Sequence, residues 1–74
     1  MNLPIMPEQD PNTKEWLVPD SAEFVRKTGW VDGWFVVCTE IEGVTRFTSQ
    51  QLAITECLLL CELIRAAQEI EAKG

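Results

Sequence analysis

The chain contains no histidine and no tyrosine, and only six lysines and arginines among its 74 residues. Without histidine it lacks the side chain that most often moves protons near neutral pH and the commonest nitrogen ligand for metals. Its cysteines, Cys38, Cys57 and Cys61, are odd in number and form no Cys-x-x-Cys pair. Zinc generally takes four ligands, so no metal site is expected, and no histidine is available to activate a cysteine nucleophile. Cys57 and Cys61 stand one helical turn apart, poorly oriented for a bridge. No glycine-rich loop cradles a phosphate. The sequence therefore points away from an enzyme and calls for no cofactor.

Long hydrophobic runs are also missing. Leu58-Leu59-Leu60-Cys61 is too short, and too closely flanked by Glu56 and Glu62, to span a membrane. Prolines interrupt Leu3-Pro4-Ile5-Met6-Pro7, where a secretory leader would carry an unbroken apolar stretch. The expectation is a reduced, cytoplasmic protein whose cysteines act as small buried hydrophobes. A net charge of −6 argues against binding to a phosphate backbone. The acidic residues are dispersed, as suits solubility; a decoy imitating nucleic acid is the sharper alternative.

Seventy-four residues make one domain with a marginal core. Disulfides, metal or oligomerisation usually supplement such a core, and here oligomerisation is the one left. Residues 1–19 carry Pro4, Pro7, Pro11 and Pro19, which predicts an extended arm whose first dozen residues are least ordered. Within it Trp16-Leu17-Val18 is apolar enough to cross a core or another subunit. Residues 20–74 read as a single small α+β domain. A short helix over 20–28 has Asp20 or Ser21 as cap, Glu23 to complete a capping box, Arg26 and Lys27 near its end and Gly29 as a left-handed stop.

A β-hairpin is expected over 34–48. Trp34–Ile41 would answer Val44–Phe47 across Glu42-Gly43, pairing Ile41 with Val44, Thr39 with Arg46 and Cys38 with Phe47. Trp34, Val36, Cys38 and Phe47 would share one face, and Phe35, Val37, Ile41 and Val44 the other. Asp32-Gly33 is a second turn signal that would make Trp30-Val31 a third strand. Thr48 and Gln51 fit a capping box, and Phe47 and Leu52 a hydrophobic staple, at the start of a long helix over 49–72. That helix should run about six turns, or roughly 35 Å.

Apolar residues fill an arc of roughly 220° on this helix, where an ordinary surface helix shows about 100°. They divide into two strips. Leu52, Leu59, Leu63, Ala66 and Ile70 form one; Ala53, Cys57, Leu60, Ile64 and Ala67 form the other. The expected arrangement is a homodimer, with the first strip on its own hairpin and the second, rich in small residues, on the partner helix. The heptad pattern does not hold beyond Ile64, so a coiled coil is not expected. Glu56 projects near the middle of the arc, either reaching the interface edge or pairing with Arg46 or Arg65. Trp34 is assigned to the core, while Trp16, Phe24, Arg26, Lys27 and Trp30 are the candidate contacts for a protein target.

The functional expectation is an inhibitor or adaptor that sterically occupies a surface of another protein. In size, acidity and lack of catalytic groups the chain looks like the small accessory proteins that bacteriophages use to disable host factors, CRISPR effector complexes and transcription regulators among them. That likeness is one of gross composition. Two other classes stand beside it: a small DNA-binding regulatory dimer whose whole basic footprint would be Arg26, Lys27 and Arg46, and a structural subunit of a larger assembly.

Overall fold

Proline spacing and one polar turn shape the first sheet. The computed structural model describes residues 5–38 and 40–73. After strand β1 (Glu8–Gln9) the Asp10 carboxylate accepts the Asn12 amide at 2.9 Å, and backbone bonds of 2.8 Å link Asp10 with both Lys14 and Glu15. Lys14 takes a left-handed φ of 65° to complete the reversal. The chain thereby returns as β2 (Trp16–Pro19), antiparallel to β1. The expected extended arm is folded back on itself as a hairpin, and its second strand is the centre of a three-stranded sheet.

The rest follows as α1 (Ser21–Lys27), β3 (Gly29–Val31), β4 (Trp34–Val36), β5 (Val44–Phe47) and α2 (Gln50–Lys73). This is the α+β architecture of antiparallel strands and one long C-terminal helix read from the sequence. Strand partners, however, differ from the expected hairpin. β5 pairs with β2, setting Trp16 opposite Phe47, Leu17 opposite Arg46, Val18 opposite Thr45 and Pro19 opposite Val44. β4 pairs instead with β3, Trp30 opposite Phe35 and Val31 opposite Trp34. Thr39, one of the expected pairing residues, lies outside the described residues.

Local backbone chemistry explains the exchange. Asp32 and Gly33 both have positive φ, 51° and 83°, the form of two-residue turn whose twist matches a hairpin. Gly43 is not in that region. Its amide and that of Glu42 donate to the Glu23 carboxylate, at 3.3 and 2.7 Å, and its carbonyl accepts the Asp20 amide at 3.0 Å. The Glu42-Gly43 segment is therefore tied to α1 and passes β5 across to β2. Glu23 consequently does not complete a capping box, although Asp20 caps α1 as expected by accepting the Ala22 amide at 3.0 Å. At the other end Thr28, with extended backbone, bonds its amide to the Phe24 carbonyl at 2.9 Å. Gly29 opens β3 rather than terminating the helix.

Side-chain alternation turns Trp16, Val18 and Phe47 toward α2, where Val18 packs with Ala53 and Cys57. A second cluster joins Phe24, Leu60 and Ala67, flanked by Phe35, Val37, Ile41, Leu63 and Ile64. Ile5 touches both clusters. At the start of α2 the Ser49 carbonyl accepts the Ala53 amide at 3.1 Å. Among the described residues no hydrogen bond joins Thr48 to Gln51, both exposed, so the expected capping box is absent. Of the two expected staple residues, Phe47 lies against the Val18 cluster and Leu52 is 56% exposed.

Two outcomes test this fold. Glu23→Ala removes the acceptor of two loop amides in a largely buried place and should destabilise the protein by about 1–3 kcal/mol in denaturant titration; an unchanged midpoint would contradict the anchoring role. Burial, with Cys61 and Glu56 nearby, pushes the Cys57 thiol above its ordinary 9.0. Since the folded chain holds this proton more tightly than the unfolded one, stability is lost as pH rises past 9.0. Cys57→Ala should remove that alkaline component from pH-dependent unfolding curves.

Candidate interaction surface

Two-stranded ribbons of three residues a side are marginal by themselves and depend on what covers them. β3 and β4 are such a ribbon, and only one of its faces is covered. Phe35 turns inward onto the cluster formed by Phe24, Leu60 and Ala67. Trp30, its cross-strand partner, stacks edge-on against it, with centroids 5.4 Å apart and rings inclined at 71°. Val31, Trp34 and Val36 occupy the opposite face and are all exposed. Trp34 is 71% exposed and Trp30 66%.

This placement corrects the reading of the tryptophans. Trp34 is not a core residue: pairing with Val31 beside the turn puts it on the face that α2 cannot reach. Trp16 is half-buried against Val18, Ala53 and Cys57. Phe24 is a core side chain and cannot be presented to a partner. Of the five candidate contacts, Arg26, Lys27 and Trp30 lie at the surface, following one another from α1 into β3.

The helix strips also exchange roles. Ala53, Cys57 and Leu60 are wholly buried in their own subunit, Ala67 nearly so, and Ile64 packs against the second cluster. That strip, expected to face a second copy, is the subunit's own core. Its small residues permit close approach of strand β2, the same property read from sequence as close approach of a helix. The opposite strip is only partly covered: Leu63 packs against the second cluster, while Leu52, Leu59 and Ile70 are exposed. Leu63, Ala66 and Ile70 on it join Val25 and Phe35 in lining an apolar groove of about 220 Å³. A pocket of about 280 Å³ is walled by Ile5, Phe24, Val37, Cys38, Ile41 and Ile64.

Three of the six basic residues are engaged with carboxylates. Arg46 reaches Asp10 at 3.1 Å and Glu15 at 3.5 Å, Arg65 reaches Glu62 at 3.1 Å, and Lys27 stands 3.9 Å from Glu23. The Asn12 amide, followed by Arg46, holds the Asp10 carboxyl below its ordinary value. Glu56 pairs with neither arginine proposed for it. Its carboxylate accepts the Ser21 hydroxyl at 2.6 Å, tying the start of α1 to α2. Periodicity placed Glu56 on the apolar arc, but no local signal identified a serine 35 positions earlier as its partner.

Acrylamide quenching checks the surface directly. Emission should be readily quenched in the native protein, and a variant retaining only Trp16 (Trp30→Phe, Trp34→Phe) should be distinctly protected. Equal accessibility of Trp16 and Trp34 would contradict the described faces. Comparison with protein-family models, with curated proteins and with solved structures finds no match to this chain.

Proposed function

We propose that this chain is a small, acidic, non-enzymatic protein-binding module, an inhibitor or adaptor that works by covering a surface of its partner. The observation that carries the reading is the outward face of the β3–β4 ribbon, where Trp34, Val31 and Val36 stand uncovered, with Trp30 exposed on the other face against Phe35. Exposed tryptophans on such a ribbon have the character of interface hot spots, because each buries a large area with little side-chain entropy to lose. Asp32 at the ribbon's turn and a net charge of −6 favour a partner with an apolar cleft and a basic rim. Likeness in size and acidity to phage accessory proteins makes a bacterial host factor the first class of partner to try.

The DNA-binding alternative draws less support. Of Arg26, Lys27 and Arg46, the last lies between Asp10 and Glu15, and Lys27 is beside Glu23. Neither residue is left as bare positive charge for a phosphate.

Affinity capture from a bacterial lysate should yield one stoichiometric protein with the native chain. Capture should be lost with Trp30→Ala/Trp34→Ala while the circular dichroism spectrum is retained, since both side chains lie outside the core. Retained capture by that variant would remove the ribbon from the mechanism. Clear binding of random DNA at about 150 mM salt would favour the nucleic-acid class instead.

A further inference from the structure

The less covered strip of α2 has a regularity beyond its greasiness, although Leu63 on it also packs against the second cluster and Glu56 is held by Ser21 of α1. Leu52, Glu56, Leu59, Leu63, Ala66 and Ile70 succeed one another at spacings of four, three, four, three and four residues. That is the heptad seam of a two-helix coiled coil, held over roughly 27 Å of helix and interrupted in its apolar character only by Glu56. The residues on one flank of the seam, Ala53, Leu60 and Ala67, are those buried against the chain's own core. The seam therefore lies at the edge of the covered face, beside the groove walled by Val25 and Phe35.

We propose that the occupant of this seam is the α2 helix of a second copy of this chain, packed antiparallel about a two-fold axis near Cys61. Area supports a partner of this size. The chain exposes 5396 Å², where a compact monomer of its mass exposes about 4600 Å². Part of that surplus of about 800 Å² lies on this strip and part on the outer face of the β3–β4 ribbon; the whole is of the order that each side of a standard protein interface covers. A two-fold axis uses one seam twice, and α2 is the chain's only helix long enough to provide one among the described residues.

Glu56 selects the direction. Parallel helices in register would set the two Glu56 carboxylates against each other inside the seam, which is unfavourable for like charges. An antiparallel pair sets Leu52 against the other copy's Ile70 and Leu59 against its Leu63. Glu56 then meets Ala66, which leaves room for a carboxylate already held by Ser21 of its own chain. Glu62, on the seam's outer flank, is paired with Arg65 and so does not present a bare charge there. Opposed helix dipoles act in the same sense. This inference does not depend on the β3–β4 ribbon, whose outer face points away from α2.

Sedimentation equilibrium on the intact chain should give twice the chain mass. Leu59→Glu should raise the dimer dissociation constant at least about tenfold with the helical spectrum unchanged, because Leu59 is outside the subunit core. A monomer at all concentrations would overturn the proposal and leave the seam to a foreign helix; a dimer indifferent to Leu59→Glu would overturn it too. Direction is read by crosslinking in a Cys38→Ser/Cys61→Ser background. Leu52→Cys combined with Ile70→Cys should oxidise to a covalent dimer, while Leu52→Cys alone should not. The two positions are too far apart along one helix to bridge within a chain. A covalent dimer from Leu52→Cys alone would show parallel helices and contradict the proposed direction.

Discussion

The Glu23 carboxylate is the point on which the topology turns. Two successive backbone amides, of Glu42 and Gly43, converge on it, and the Gly43 carbonyl is taken by the Asp20 amide one turn earlier. A segment held this way cannot also make the tight reversal that would fold β5 back onto β4. β5 is delivered to β2 instead, and β4 has only β3 for a partner. One charge-assisted contact thus decides which strands share a sheet. It also decides that the β3–β4 ribbon stands apart with one face uncovered.

The long helix meets the consequences. Ala53 and Cys57 let β2 approach closely, Leu60 and Ala67 close over Phe24, and the Ser21–Glu56 bond fixes α1 to the same helix. α2 therefore organises both clusters from a single face. With strands of two to four residues around it, the described part of the chain has no further element to lay over Leu52, Leu59 and Ile70. Surplus apolar surface on this helix and on the ribbon has one origin: the domain has too few layers for the faces it generates.

Features encoded by short-range chemistry were legible in the sequence. The Asp20 cap, the Asp32-Gly33 turn and the extent of α2 depend on neighbours within a few residues, and each occurs. The Glu42-Gly43 turn reads equally well as a hairpin by its own composition. Its fate depends on Glu23, some twenty positions earlier, which no periodicity reveals. The same long-range choice moved Trp34 from expected core to surface. It left Trp16 and Phe24 inside, because strand partners determine which face each residue presents. On α2 the two strips were separable from spacing alone. Which strip faced inward was not, since small residues suit a strand's close approach as well as a helix's. Glu56 belonged to the arc by angle, yet its partner Ser21 became identifiable only once α1 and α2 were seen side by side.

Strand partnership is the claim from which the surface assignments descend, and cross-strand proton contacts in a nuclear Overhauser spectrum of the uniformly labelled protein read it directly. The account requires contacts linking Trp16 with Phe47 and Leu17 with Arg46, together with contacts linking Val31 with Trp34. Contacts linking Cys38 with Phe47 and Ile41 with Val44 would show the single long hairpin instead. They would return Trp34 to the interior and contradict the account.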